Sequence, residues 1–211
     1  MTLGIVTQLR DFVPLRPLTR AEAYRIAELQ AIRFLKLTGA SEPPLGEATI
    51  TQLPRMQVQR FSPLPVSGAT EWSHGRWLVL LNGAEPIVRQ RFSLAHEFKH
   101  IVDHRFHNLL YRRIPKAERH QFVESLCDYF AGCLLVPKVW LRRAWTTGVQ
   151  RPDELARLFG VSQMAIQVRL AQTGLAEPAA RCSRSDPRWT LPELKRRGTR
   201  EGYLRRAPLP T

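Results

Sequence analysis

R-F-S-L-A-H-E-F-K-H-I-V-D, residues 91–103, is the stretch on which every other reading of this chain depends. It holds His96, Glu97 and His100 in an H-E-x-x-H arrangement. On an α-helix, residues four apart stand one above the other on the same face. Two imidazoles can therefore converge on one ion, with Glu97 to the side where an attacking water sits. This is what a hydrolytic zinc site needs: two fixed nitrogens, a third ligand from elsewhere, an open position and a carboxylate base. Leu94, Ala95, Phe98, Ile101 and Val102 supply apolar positions at helical spacing, so the helix is packed and not a solvated charge run. Ser93 is the expected N-cap. Lys99 points away from the metal face and is expected at the surface.

The third ligand is sought on a second helix, expected from about residue 119 to 136 and stopped by Pro137. Its apolar stripe is Phe122, Leu126, Phe130, Cys133 and Leu134, yet Glu124 and Asp128 share a face at i, i+4. Two acids on a packed helix are costly unless a cation compensates them, and a metal does so. In one class of zinc peptidases a Glu of this kind is the third ligand, and an Asp one turn later fixes a ligating imidazole through a hydrogen bond. His104 competes for the role, but one turn beyond His100 it overshoots an ion centred between the two histidines. A third His after a glycine turn is disfavoured because Asp103 stands where that glycine belongs. His74, His107 and His120 are expected at the surface.

With 211 residues and 44% hydrophobic composition, the chain can bury one real core. No run approaches the ~18 apolar residues of a membrane span, and Arg10 and Asp11 interrupt any signal-peptide pattern, so a cytoplasmic location is expected. The three cysteines form no C-x-x-C pair, which points away from a disulfide framework; Cys127 and Cys133 read as small buried residues. The net charge is +14, and residues 181–211 carry nine Lys and Arg against three Asp and Glu. Such a balance favours anionic partners, nucleic acid above all, and says nothing about fold.

In chain order, residues 1–18 read as an irregular leader. Thr19 with Glu22 forms a capping box ahead of a helix over 19–37, ended by Gly39. A short helix is expected at 47–53. Residues 56–61 alternate as a half-buried strand, and 77–81 form a continuous apolar run closing on Asn82-Gly83. The segments P-L-P-V-S-G and W-S-H-G between them read as turns. The expected fold is α+β, a small antiparallel sheet packed on active-site helices, with the zinc peptidase domain at 19–145. A strand edge beside the metal helix could hold an extended substrate by backbone hydrogen bonds. Residues 146–176 read as two short helices joined at Gly160-Val161, a helix-turn-helix-like segment. Gln163, Gln167 and Arg169 are its candidate contacts to DNA or a partner, although Met164, Ile166, Val168 and Leu170 favour a buttressing role. Residues 177–211 read as a basic tail, with a short helix at 191–197.

Two blocks, R-Q-R-F-S-L-A-H-E-F-K-H-I-V-D-H (89–104) and E-S-L-C-D-Y-F-A-G-C-L-L-V-P (124–137), resemble the ImmA/IrrE family of bacterial metallo-endopeptidases in order and spacing. The resemblance implies a minimal gluzincin fold with one zinc ion per chain, held by His96, His100 and Glu124, with Glu97 as base and Asp128 behind a ligand. It also implies a protein substrate, a helix-turn-helix repressor whose cleavage derepresses stress-response or mobile-element genes. Lys99 stands where the family usually has a small residue, and Cys127 where it usually has Ala. A different class of function, a DNA-binding or partner-docking regulator with a non-catalytic zinc site, is supported by the charge and the helical pair.

Overall fold

The computed structural model describes residues 4–175, which fall within one compact unit. The elements are α1 (Ile5–Arg10), α2 (Arg20–Thr38), α3 (Ala48–Thr51), β1 (Met56–Phe61), β2 (Gly68–Ser73), β3 (Arg76–Asn82) and α4 (Ile87–Asp103). A 3-10 turn (His104–Phe106) leads into α5 (His107–Leu110), α6 (Lys116–Leu135), α7 (Lys138–Thr146), α8 (Pro152–Phe159) and α9 (Gln163–Thr173). Among the described residues no helix is long and apolar enough to cross a membrane. The expected tail helix lies outside the described residues.

The class is α+β, but the sheet is mixed and not antiparallel. Strand order is β1-β3-β2, with β1 parallel and β2 antiparallel to β3. The missing piece in the sequence reading is β2, G-A-T-E-W-S, whose two ends are expected as turns and whose middle has no expected element. Its small and polar residues give little alternation, and its partner does the ordering: it pairs with β3 across a tight hairpin. His74 and Gly75 both take positive φ there (48° and 77°), the conformation a two-residue turn requires. Consequently β3, and not an edge strand, carries the apolar run, with Trp77, Val79 and Leu81 buried.

Helix α2 opens as its sequence predicts: the Thr19 side chain accepts from Glu22 N–H, and Glu22 accepts from Thr19 N–H at 2.8 Å. It closes on Gly39 at φ 69°. The leader is not wholly irregular. Helix α1 is too short to show a period, and tertiary contacts hold it. Leu9 is fully buried, and the Arg10 guanidinium donates to the carbonyls of Val102 and Ile101 at 3.0 and 2.9 Å, closing the end of α4. Helix α4 begins after Pro86, six residues before Ser93, which is buried inside the helix and caps nothing. After α4 the chain continues directly into the 3-10 turn and α5.

Phe34, Phe98 and Phe130 meet in sequence from α2 through α4 to α6, the first pair edge to face and the second tilted, with ring centroids 5.2 and 6.2 Å apart. Beside them lies a polar cluster that corrects the reading of Lys99. The face of α4 turned from the metal residues meets α2, not solvent. Lys99 is buried, and its ammonium donates to Gln30 Oε1 and Asp103 Oδ1, each at 2.7 Å. Tyr111 donates its hydroxyl to the other oxygen of Asp103.

Candidate metal centre

Helices α4 and α6 pack side by side, and this contact brings two sequence-distant motifs together. His96 Nε2 and His100 Nε2 are 3.1 Å apart. Glu124 places Oε2 3.4 Å from the first and Oε1 3.4 Å from the second. Four ligands at zinc distances of 2.0–2.1 Å in a tetrahedron lie roughly 3.3 Å from one another. The three groups therefore already stand at the edge length of such a tetrahedron. Asp128 Oδ1 meets His96 Nδ1 at 2.8 Å, which fixes the ring and leaves Nε2 turned toward Glu124.

The electrostatics agree with a cation site. Burial works against a charged His96 imidazole, but Asp128 and Glu124 outweigh it and hold its pKa up at about 9. His100 and His96 hold the Glu124 carboxyl well below the usual carboxylate range, against its burial. Two carboxylates thus draw positive charge to this point. Glu97 is different: burial pushes its carboxyl upward while the imidazoles pull against this, the balance of a carboxylate suited to take a proton.

Cys127 was expected as a plain buried residue, yet its Sγ and the two imidazoles form a group of possible ligands within 4.8 Å of one another. His96, His100 and Cys127 can thus hold a metal ion. Burial pushes the Cys127 thiol well above its ordinary range, so the thiolate that would bind is disfavoured, whereas Glu124 is already charged. Nothing in sequence spacing betrays Cys127, which comes close only through the packing of α4 against α6.

The metal residues open into a cleft floored by α4 and flanked by β2. Gly68, Ala69 and Thr70 of this edge strand line it together with Glu97, His100 and Glu124. A Cβ on Gly68 would stand 3.1 Å from both Glu97 Cγ and Oε1. The absence of a side chain there is what lets the strand pass close to Glu97. Gly68→Val is expected to keep zinc and fold while displacing Glu97, lowering turnover on the order of 10²-fold. Equal turnover with zinc retained would show that Glu97 has room to spare.

His104 turns aside to Trp77 (centroids 4.9 Å apart) and does not join the metal residues. His107 is half-buried against Tyr111 and lines the cleft, so it is not the surface residue expected. His74 lies exposed in the hairpin, and His120 is exposed at the rim near Asp128. Gln163 and Gln167 are exposed on α9, but Arg169 is buried, donating to the Val136 carbonyl at 3.2 Å and to Gln172. The three do not form one contact surface.

The model of the IrrE N-terminal-like domain of peptidase family M78 matches residues 55–171, from the sheet through α9. No match is found among curated proteins. Among solved structures, a Mycobacterium tuberculosis transcriptional regulator is similar at a TM-score of 0.53 and 17% identity, over 80% of this chain and 52% of that one. The chain thus spans about half the length of that structure, and the likeness is one of fold. A family match over more than half the chain, falling on the helices that join His96 and His100 to Glu124, means that the chain belongs to the ImmA/IrrE metallopeptidases of family M78.

Proposed function

We propose that this protein is a zinc-dependent endopeptidase of gluzincin type, with His96, His100 and Glu124 as ligands and Asp128 orienting His96. The observation that carries this is the tetrahedral edge spacing of the three groups, at 3.1 and 3.4 Å, beside a Glu97 whose burial raises its proton affinity, under a strand edge that is unpaired among the described residues. Bound zinc supplies the positive charge that polarises the scissile carbonyl and acidifies a water. Glu97 accepts the proton of the attacking water and passes it to the leaving amine. The edge of β2 binds the substrate backbone as an added strand, holding the bond over Glu97. The substrate is a protein, and a helix-turn-helix repressor is the first to try, its cleavage derepressing stress-response or mobile-element genes.

Elemental analysis of the purified protein, followed by incubation with such a repressor before and after chelation, tests the reading. One zinc per chain and cleavage that chelation stops is the expected result; absence of zinc would remove the reading at its base. The ligand set has its own test. Asp128→Asn weakens zinc by about 10–100-fold, the cost of losing an outer hydrogen-bond partner. Glu124→Ala weakens it further, and Cys127→Ala leaves it unchanged. Loss of zinc in Cys127→Ala with retention in Glu124→Ala would replace the carboxylate by the thiolate.

A further inference from the structure

The cleft does not end at the metal-facing residues. Past His100 it opens into a recess of about 770 Å³ between α1, the turn before β1 and the end of α4. Trp72, Trp77 and His104 line both spaces, so the recess continues the cleft. Their rings form one wall: Trp72 and Trp77 lie 5.1 Å apart and Trp77 and His104 4.9 Å apart, both edge to face.

The other walls combine uncharged residues of α1 and of the turn before β1 with three arginines. Arg10, Arg55 and Arg105 line the recess, and among the described residues no Asp or Glu does. Arg10 is committed to the carbonyls of Ile101 and Val102. Arg55 and Arg105 are exposed, and among the described residues neither side chain has a hydrogen-bonding or ion-pair partner. Burial, then the charge of Arg105, disfavours the charged form of Arg10, with Asp103 pulling the other way. Like charges are thus gathered against aromatic surface, with Asp103 offsetting Arg10 alone, and an incoming anion relieves Arg55 and Arg105.

We propose that this recess is a carboxylate subsite: a peptide lying in the cleft sets an acidic group against Arg55 and Arg105, its stem against Trp72 and Trp77. The inference rests on the peptidase reading, since the peptide reaches the recess along the metal cleft. Its place is set by simple lengths. His104 lies one turn beyond His100, ~6 Å along the helix axis. An extended peptide advances ~3.3 Å per residue, so the acid stands about two or three residues from the bond that is cut. The carboxylate is either an Asp or Glu side chain or the end of the peptide chain.

The test uses the full-length, zinc-loaded protein and titration calorimetry. Acetohydroxamate is titrated first, and its binding reports on the metal alone. Hydroxamate-capped, C-terminally amidated peptides carrying Asp or Asn at the third residue follow, with the Asn peptide also made with a free terminal carboxylate. At low ionic strength one of the acidic peptides binds at least about tenfold more tightly than the neutral one, as a charged hydrogen-bonded pair warrants. Preference for Asp assigns the recess to internal acids, and preference for the free terminus assigns it to chain ends. Arg55→Gln/Arg105→Gln abolishes the preference, while Arg142→Gln/Arg143→Gln, exposed on α7, preserves it. Equal affinities with acetohydroxamate still bound overturn the inference and leave the peptidase standing. Equal loss in both double variants also overturns it, because the net charge of +14 and not the recess then holds the acid. Failure of zinc or acetohydroxamate to bind counts against the proposed function itself and takes the inference with it.

Discussion

Glu97→Gln retains zinc and stability while peptide-bond hydrolysis falls by about 10²–10⁴-fold, the range a positioned general base supplies. The amide keeps the size of the carboxylate, so the close pass of Gly68 is undisturbed. It cannot take up a proton, and the step from water to leaving amine loses its carrier. The replacement also removes a buried acid whose charge is disfavoured by its own burial, so no loss of fold is anticipated. Zinc content, melting midpoint and turnover measured on one preparation check this. Turnover within a few-fold of wild type would mean that another group carries the proton, and His107, which shares the cleft, becomes the first alternative.

The second large effect lies on the opposite face of the same helix. Lys99→Met leaves Asp103 charged in the core with Tyr111 as its only close partner among the described side chains. Both side chains of the pair are nearly inaccessible (2% and 5% exposed), so solvent cannot take over. Breaking such a pair by removing one member costs about 3–5 kcal/mol. For a domain of this size the melting midpoint falls by roughly 8–16 °C. Lys99→Met combined with Asp103→Asn recovers much of the loss, because the orphaned charge is gone while Tyr111 keeps an acceptor. Thermal denaturation of the single and double variants reads this directly. A single variant melting with wild type would show that the ion pair contributes nothing net.

Lys99 also shows where reading the sequence stops. The helical period correctly turned it away from His96 and His100, but a charged residue was assigned to water on chemical type alone. What lies behind α4 is Gln30 of α2, 69 positions away, and no local pattern reports it. Arg169 went the same way: its donors reach the Val136 carbonyl, and its guanidinium lies 5.8 Å from the Tyr129 ring centre. Both are long side chains whose polar ends found partners inside. The helices were legible where caps and stripes were strong, as at Thr19 and Gly39, and α1 was not, because six residues cannot display a period. Strand β2 escaped for the related reason that hairpin pairing, not its own side chains, makes it a strand. At the metal centre the spacing of Glu124 and Asp128 was informative because only one helical face can hold both. Which face meets α4 is a matter of packing, and the nearness of Cys127 follows from it.

The outer edge of β2, unpaired among the described residues, carries one more implication. To replace the water on its N–H and C=O groups along the whole strand, an added chain must present its own backbone, and a helix or an interior strand has none to spare. A segment that enters must first surrender its native hydrogen bonds. The local unfolding free energy of the segment therefore enters directly into its apparent affinity. A stretch already extended between two folded domains enters at no such cost, while one needing about 4 kcal/mol to open binds about a thousandfold less well. If β2 binds substrate as proposed, the sheet edge sorts polypeptides by how loosely they hold themselves together before any side chain is inspected.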